Sequence, residues 1–285
     1  MAKIKIITDS GSDISQKQAA ELGIKVIPLT YTFDGETYYK DGVDLDIEEF
    51  YLRLRTNPVP PKTSQIPPTL FIEAYNEAFD EGYDTIIVVT ISSAASGVYQ
   101  NASLAANEVT DERGGDITVI DSQSFTILYG KAVMEAARMA TEGKGKDEIV
   151  SYLNNAINSM KAFFIVENLE HLKKGGRINA ATLVVATMLD IKPVLVVEGG
   201  LVAQKEKIRG SKKLYKKLLS IAEQEGYNGE NVIIAHTALG DKVTELKNEI
   251  LEKYPNVQVS EWILGSTIAC HAGPELIAIV YSDKV

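Results

Sequence analysis

Along the first half of the chain, short apolar runs alternate with stretches whose apolar residues recur every three to four positions. Residues 3–8 (KIKIIT) predict a buried strand. Ser15 and Gln18 have capping-box spacing, which predicts a helix that ends near Gly23. Residues 25–32 form a second β-like run. Residues 45–55 and 69–81 read as helices, with a proline-rich loop over 57–68 between them. The run TIIVVTI at 85–91 lacks polar alternation, as expected of a strand covered on both faces. A helix over 97–109, a strand over 117–120 and a long helix over 124–142 complete a βαβα rhythm. That rhythm predicts a mostly parallel sheet with helices on both faces.

The second half breaks the rhythm. A strand is predicted over 162–166 and a short helix over 169–174, stopped by Gly175-Gly176. Residues 180–189 (AATLVVATML) read as a helix apolar almost all round. Segments 193–197 and 201–207 flank Glu198-Gly199-Gly200, a hairpin signal. A basic helix over 211–224 and strands over 232–236, 257–263 and 276–281 follow. A hairpin combined with crossovers predicts a mixed sheet. The expected organisation is two α/β domains, 1–158 and 159–285. The first has a mostly parallel N-terminal sheet flanked by helices, the second a mixed sheet, and the joint lies within 145–162. The length, 285 residues, agrees with this, since single cores stop growing at roughly 250–300 residues.

Composition narrows the function classes. A hydrophobic content of 45% supports a packed core. A net charge of −10 argues against a nucleic-acid binder. The single cysteine, Cys270, excludes a disulfide framework within the chain and zinc sites built from several cysteines. No two histidines are spaced to chelate a metal, and His171 and His236 read as structural or surface residues. The carboxylates Asp41, Asp44, Asp46, Glu48 and Glu49 lack the glycine of a calcium loop and are expected to form a solvated face and a helix N-terminus. Neither Gly-x-x-x-x-Gly-Lys-[Ser/Thr] nor Gly-x-Gly-x-x-Gly occurs, so no nucleotide cofactor is expected. The first thirteen residues fit neither a signal peptide nor an anchor, and no apolar run approaches the roughly 18–20 residues that span a bilayer. The expected location is the cytoplasm, without stable membrane insertion.

Four polar clusters fall after predicted strands or in loops: Thr8-Asp9-Ser10, Lys62-Thr63-Ser64-Gln65, Ser92-Ser93-Ala94-Ala95-Ser96-Gly97 and Asp121-Ser122. Ligands of open parallel sheets bind beyond the carboxyl ends of the strands, and a Ser/Gly turn entering a helix offers free N–H groups to an anion. The same pattern fits serines that only cap helices. Ser96-Gly97 resembles half of a hydrolase elbow, but that motif needs Gly-x-Ser-x-Gly and residues 94–98 are Ala-Ala-Ser-Gly-Val, without the first glycine. A Ser96–His271 hydrolase acting on acyl esters, backed by Asp121 or Asp9, stays open as an alternative, as does a phosphate- or sugar-binding module. His271 lies in GSTIACHAGP, read as a loop of small residues before the last strand. Its imidazole can donate to a carboxylate or pair with it. Lys174-Gly-Gly-Arg177 fits an anion-binding turn or a helix end equally well.

Taken in order, these pieces resemble the DegV family nearly end to end. The resemblance rests on Thr8-Asp9-Ser10, Lys62-Thr63-Ser64-Gln65, Ser92-Ser93…Ser96-Gly97-x-Tyr99, Asp121-Ser122, Glu167 through Ile178 (ENLEHLKKGGRI), Lys192-Pro193 and His271-Ala-Gly-Pro274. Val98, Glu275 and the Ile66-Pro67 step depart from the family pattern. The resemblance implies a long-chain fatty acid held in a cleft between two domains, in a lipid-binding protein that is not itself an enzyme. It further implies a partner, the catalytic subunit of a bacterial fatty acid kinase, which phosphorylates the bound acid to an acyl phosphate for phospholipid metabolism. By the same resemblance Thr63, Ser96 and His271 fall on carboxylate ligands, Arg177 near the carboxylate, and Arg209 on a position for docking the kinase.

Overall fold

The computed structural model describes residues 3–179, 191–210 and 213–283. The predicted apolar helix over 180–189 lies outside the described residues. The first half forms a parallel sheet of β1 (Ile4–Asp9), β2 (Lys25–Ile27), β6 (Thr85–Thr90) and β7 (Asp116–Asp121), in the order β2-β1-β6-β7. All six residues of β6 are buried, as its unalternating sequence requires of an inner strand. Helices α1 (Gln16–Leu22), α3 (Pro68–Asp80), α4 (Val98–Arg113), α5 (Ile127–Thr141) and α6 (Lys146–Ser159) flank this sheet and share its core. The expected capping box at α1 is present, with Ser15 and Gln18 bonding reciprocally and Gly23 left-handed at the C-cap.

The run over 25–32 is not one strand. Pro28, without an N–H, interrupts it. Its second half, β3 (Thr30–Thr32), leaves the parallel sheet and pairs antiparallel with β4 (Tyr39–Lys40) and β5 (Lys62–Ser64). The proline-rich loop therefore carries a strand, and that strand holds Thr63. Helix α2 (Ile47–Thr56) packs Phe50, Tyr51 and Leu54 against Tyr31 of β3.

From Met160 the chain builds a six-stranded mixed sheet from β8 (Met160–Val166), β9 (Ile191–Glu198), β10 (Leu201–Arg209), β11 (Val232–His236), β12 (Val259–Ile263) and β13 (Leu276–Ser282). Their order is β10-β9-β8-β13-β11-β12. The expected β9–β10 hairpin turns at Gly199-Gly200, both with positive φ. One face packs on α8 (Leu214–Gln224) and α9 (Gly240–Lys253), the second of which the sequence reading passed over. The other face turns toward the first domain. Short α7 (Glu170–Gly175) ends at left-handed Gly176, so the glycine pair is a helix end. The loop expected around His271 is a helix, α10 (Ser266–Ala272). It belongs to the second half by sequence but packs on α2, β3 and β5 of the first.

Candidate functional site

A slot of about 870 Å³, counting its opening to solvent, lies between the carboxyl end of β6 and the inward face of the mixed sheet. The order β2-β1-β6-β7 reverses direction between β1 and β6, where ligands of open α/β sheets bind. The floor comes from alternate residues of β8, β11 and β13, among them Ala162, Phe164, Ala235, Ala278 and Val280. Ile91, Phe125 and Leu128 of the first domain close the opposite side. Nearly every wall is apolar. Thr126 and Thr267 also line it, but their hydroxyls neighbour the buried carboxyls of Asp13 and Asp41.

One stretch of wall is polar, and it gathers residues from distant parts of the chain. Thr63 on β5, Ser96 in the turn after β6, Arg177 after α7 and His271 on α10 all line the slot. Thr63 Oγ1 and His271 Nε2 lie 2.8 Å apart and share a hydrogen bond. Arg177 donates from Nε to Ala95 O at 2.9 Å and from Nη1 to Gly175 O, which braces the turn that presents Ser96. A Cβ on Gly175 would run into His271 Nδ1, so glycine there lets α7 approach the ring. Burial, with the Arg177 cation and His171 nearby, pushes His271 down to about pKa 4. The ring is therefore neutral at pH 7, and Arg177 supplies the fixed positive charge. Two hydroxyls, a neutral imidazole and one guanidinium suit a single carboxylate.

The other polar clusters do different work. Asp9 is fully buried and accepts from Gly11 N–H, Ile91 N–H and the Tyr129 hydroxyl, tying β1 to β6. Ser93 donates its N–H and hydroxyl to Asp121, and Ser92 donates to Gly200 O at 2.7 Å, across to the β9–β10 turn. These are ties, not ligand groups. Asp41, expected on a solvated face, is 3% exposed and accepts from Ser266 N–H. The rest of that cluster is as expected: Asp46 caps α2, Glu48 and Glu49 lie in its first turn, and Asp44, Asp46 and Glu48 are exposed. A hydrolase triad finds no support here: His271 Nδ1 is buried without a partner, and Asp9 and Asp121 are engaged elsewhere. His171 Nδ1 donates to Cys270 O, and His236 is buried with its Nδ1 accepting from Leu239 N–H, both structural. Arg209 ends β10 on an exposed surface, away from the slot lining, and its carbonyl accepts from Lys217. No group that could hold a metal ion occurs among the described residues, and no described helix is long and apolar enough to cross a membrane.

The fold and the slot define a two-domain α/β protein with a mostly apolar slot and, among the described residues, one polar stretch of its wall. The model of the DegV family, described as "Uncharacterised protein, DegV family", matches residues 3–284, and the chain belongs to that family. A DegV domain-containing protein of Caldanaerobacter subterraneus subsp. tengcongensis is 34% identical, with both chains covered in full. A solved DegV-family protein of Thermus thermophilus, described by its fatty acid binding, is 31% identical at a TM-score of 0.86, over 99% of this chain and 100% of that one. A stearic acid-binding protein of Eubacterium ventriosum is 27% identical at a TM-score of 0.84, over 99% of each chain.

Proposed function

We propose that this protein binds a long-chain fatty acid in the slot and presents its carboxylate to the catalytic subunit of a fatty acid kinase. The observation that carries this reading is an apolar slot in which, among the described residues, Thr63, Ser96, Arg177 and His271 gather on one stretch of wall, a set of groups that suits a carboxylate. The fatty-acid-binding relatives, alike in fold along nearly the whole chain, support it. Burying a methylene stabilises by about 0.8 kcal/mol, so a chain of about fifteen gains on the order of 10 kcal/mol before the costs of association. The tail supplies affinity. Thr63, Ser96 and His271 orient the head, with Arg177 at the same end. An incoming carboxylate offsets the Arg177 charge near His271 and draws its pKa upward.

Few bonds to the carboxylate leave one oxygen free to attack the γ-phosphorus of ATP on the partner, with ADP leaving and an acyl phosphate formed. Catalysis on this side is positioning alone. Arg209 and the neighbouring lysines offer a basic surface for docking the kinase. The test is mass spectrometry of an organic extract of the purified protein, followed by addition of oleate or palmitate. Bound fatty acid is the expected result. No co-purified lipid and no binding of either added acid would end the reading.

A further inference from the structure

The helix that carries His271 has no cap of its own. Its N-cap residue, Gly265, has no side chain to accept from the first free N–H groups of α10. A side chain has no room there, because a Cβ on Gly265 would run into Asp13 Oδ1. The acceptor comes from the first domain instead. Asp41, 225 positions away in sequence, accepts from Ser266 N–H at 3.1 Å. Ser266 is the first residue of α10, so the Asp41 carboxylate stands where an N-cap side chain would. It is itself held firmly. Asp41 N–H donates to Leu29 O at 2.9 Å, and Leu29 N–H donates to Ser10 Oγ at 3.0 Å. One residue before Gly265, Leu264 O accepts from the Tyr51 hydroxyl at 2.8 Å. The entry into α10 is therefore gripped at successive residues by side chains of the first domain, although β12, which precedes it, lies in the other sheet.

We propose that Asp41, with Asp13 beside it, is a positioning residue for the polar wall of the slot, capping α10 across the fold and setting where His271 meets Thr63. The proposal rests on reading His271 as a carboxylate ligand. Its physical basis is local. A helix of seven residues has few internal hydrogen bonds, so its end groups weigh heavily. A carboxyl oxygen at the N-terminus satisfies a free donor, whether or not the group is ionised. Elsewhere α7 holds the helix through His171 Nδ1, which donates to Cys270 O at 3.3 Å, while Tyr31, Phe50 and Tyr51 pack on Ala269 and Cys270 through apolar surface, so the polar hold on the N-terminal end comes from Asp41 and Tyr51. At 2.8 Å, the Thr63–His271 bond tolerates little of either.

The imidazole ¹⁵N spectrum of the ligand-free protein reports on His271 Nε2, and oleate titration reports on the site. In Asp41→Ala the Nε2 resonance is expected to move toward that of a solvated ring, and oleate affinity to fall about tenfold, the scale of a lost cap. Asp41→Asn keeps an acceptor oxygen and is expected to restore most of both. An unchanged spectrum and affinity in Asp41→Ala, or equal losses in the two variants, would overturn the proposal. Should Asp41→Ala not fold, Ser266→Pro removes the donor while suiting the first helical position. Its expected result is the same displaced resonance, and a wild-type resonance would again overturn the proposal. If wild-type protein binds no oleate, the fatty-acid reading fails alone, because the imidazole signal still judges the positioning.

Discussion

The two faces of the six-stranded sheet are built from the same strands, are equally apolar, and do opposite things. Odd-numbered residues of β8 and β13 (Phe163, Ile165, Ile277, Ile279, Tyr281) meet α8 and α9 in a filled core, where Phe163 and Tyr281 stack at 6.2 Å between centroids. Even-numbered residues of these strands face the first domain, and several are small. The register sets Ala278 opposite Phe164 on one side and Ala235 on the other, and Ala162 opposite Val280. Methyl groups side by side leave depth that isoleucine and tyrosine fill on the reverse face. Hydropathy cannot tell these faces apart. Side-chain volume at a given parity does, because a close-packed interior registers even one methylene.

Exchanging volumes breaks this comparison most forcefully. Ala278→Leu projects a branched chain into the slot. The three carbons that leucine adds over alanine displace about three methylenes of the ligand, about 2–3 kcal/mol or roughly 30- to 150-fold in Kd, while thermal stability holds. On the reverse face Ile279→Ala opens a cavity and is expected to cost about 2–5 kcal/mol in urea unfolding, with lipid binding retained by the folded protein. If Ala278→Leu bound oleate normally, the ligand would not occupy this face.

The same parity argument explains how much could be read beforehand. Both halves of the α/β organisation were legible, because β1, β6 and the β9–β10 hairpin carry strong local patterns. The polar wall was only partly legible. Thr63, Ser96, Arg177 and His271 were singled out, and they line one slot, yet their meeting depends on a 208-residue separation between Thr63 and His271 that no local pattern encodes. The run 57–68 concealed β5, since prolines mask a three-residue strand. The helical state of 266–272 was hidden for a physical reason, because its cap is supplied by Asp41 and not by its own N-cap residue. Asp41 itself looked like one of several surface acids. A lone acid separated by Gly42 and Val43 from the others gave no sign of burial.

His271 on the polar wall and Asp9 at the end of β1 respond in opposite ways to pH. His271 is held neutral, with its folded pKa near 4 against an ordinary 6.5. Between those values the unfolded chain binds more protons than the folded one, so stability supplied by this residue is present above pH 6.5 and lost as pH falls toward 4. The shift corresponds to about 3 kcal/mol. Buried Asp9, pushed up to about 6, acts in the opposite sense, favouring the fold as pH falls through that value. Comparing urea unfolding of wild type with His271→Asn cancels the Asp9 contribution. The wild type is expected to lose about 3 kcal/mol relative to the variant between pH 6.5 and 4. Parallel profiles would mean that the ring is already solvated.

The mildest substitution makes the sharpest division between tail and head. Thr63→Val keeps the shape of the side chain and removes only its hydroxyl. The loss is one hydrogen bond to a carboxylate, about 1–2 kcal/mol or roughly 5- to 30-fold in Kd, and unfolding of the ligand-free protein becomes easier by about 1 kcal/mol for the lost Thr63–His271 bond. His271 Nε2 loses its 2.8 Å partner, so the ring becomes freer and the bound carboxylate less fixed in orientation. The ¹³C resonance of a carboxyl-labelled fatty acid should broaden or shift even where affinity falls only modestly. A loss larger than that expected of Ala278→Leu would place the binding energy at the polar wall instead of along the alanine floor. The division of labour drawn from the two faces of the sheet would then be wrong.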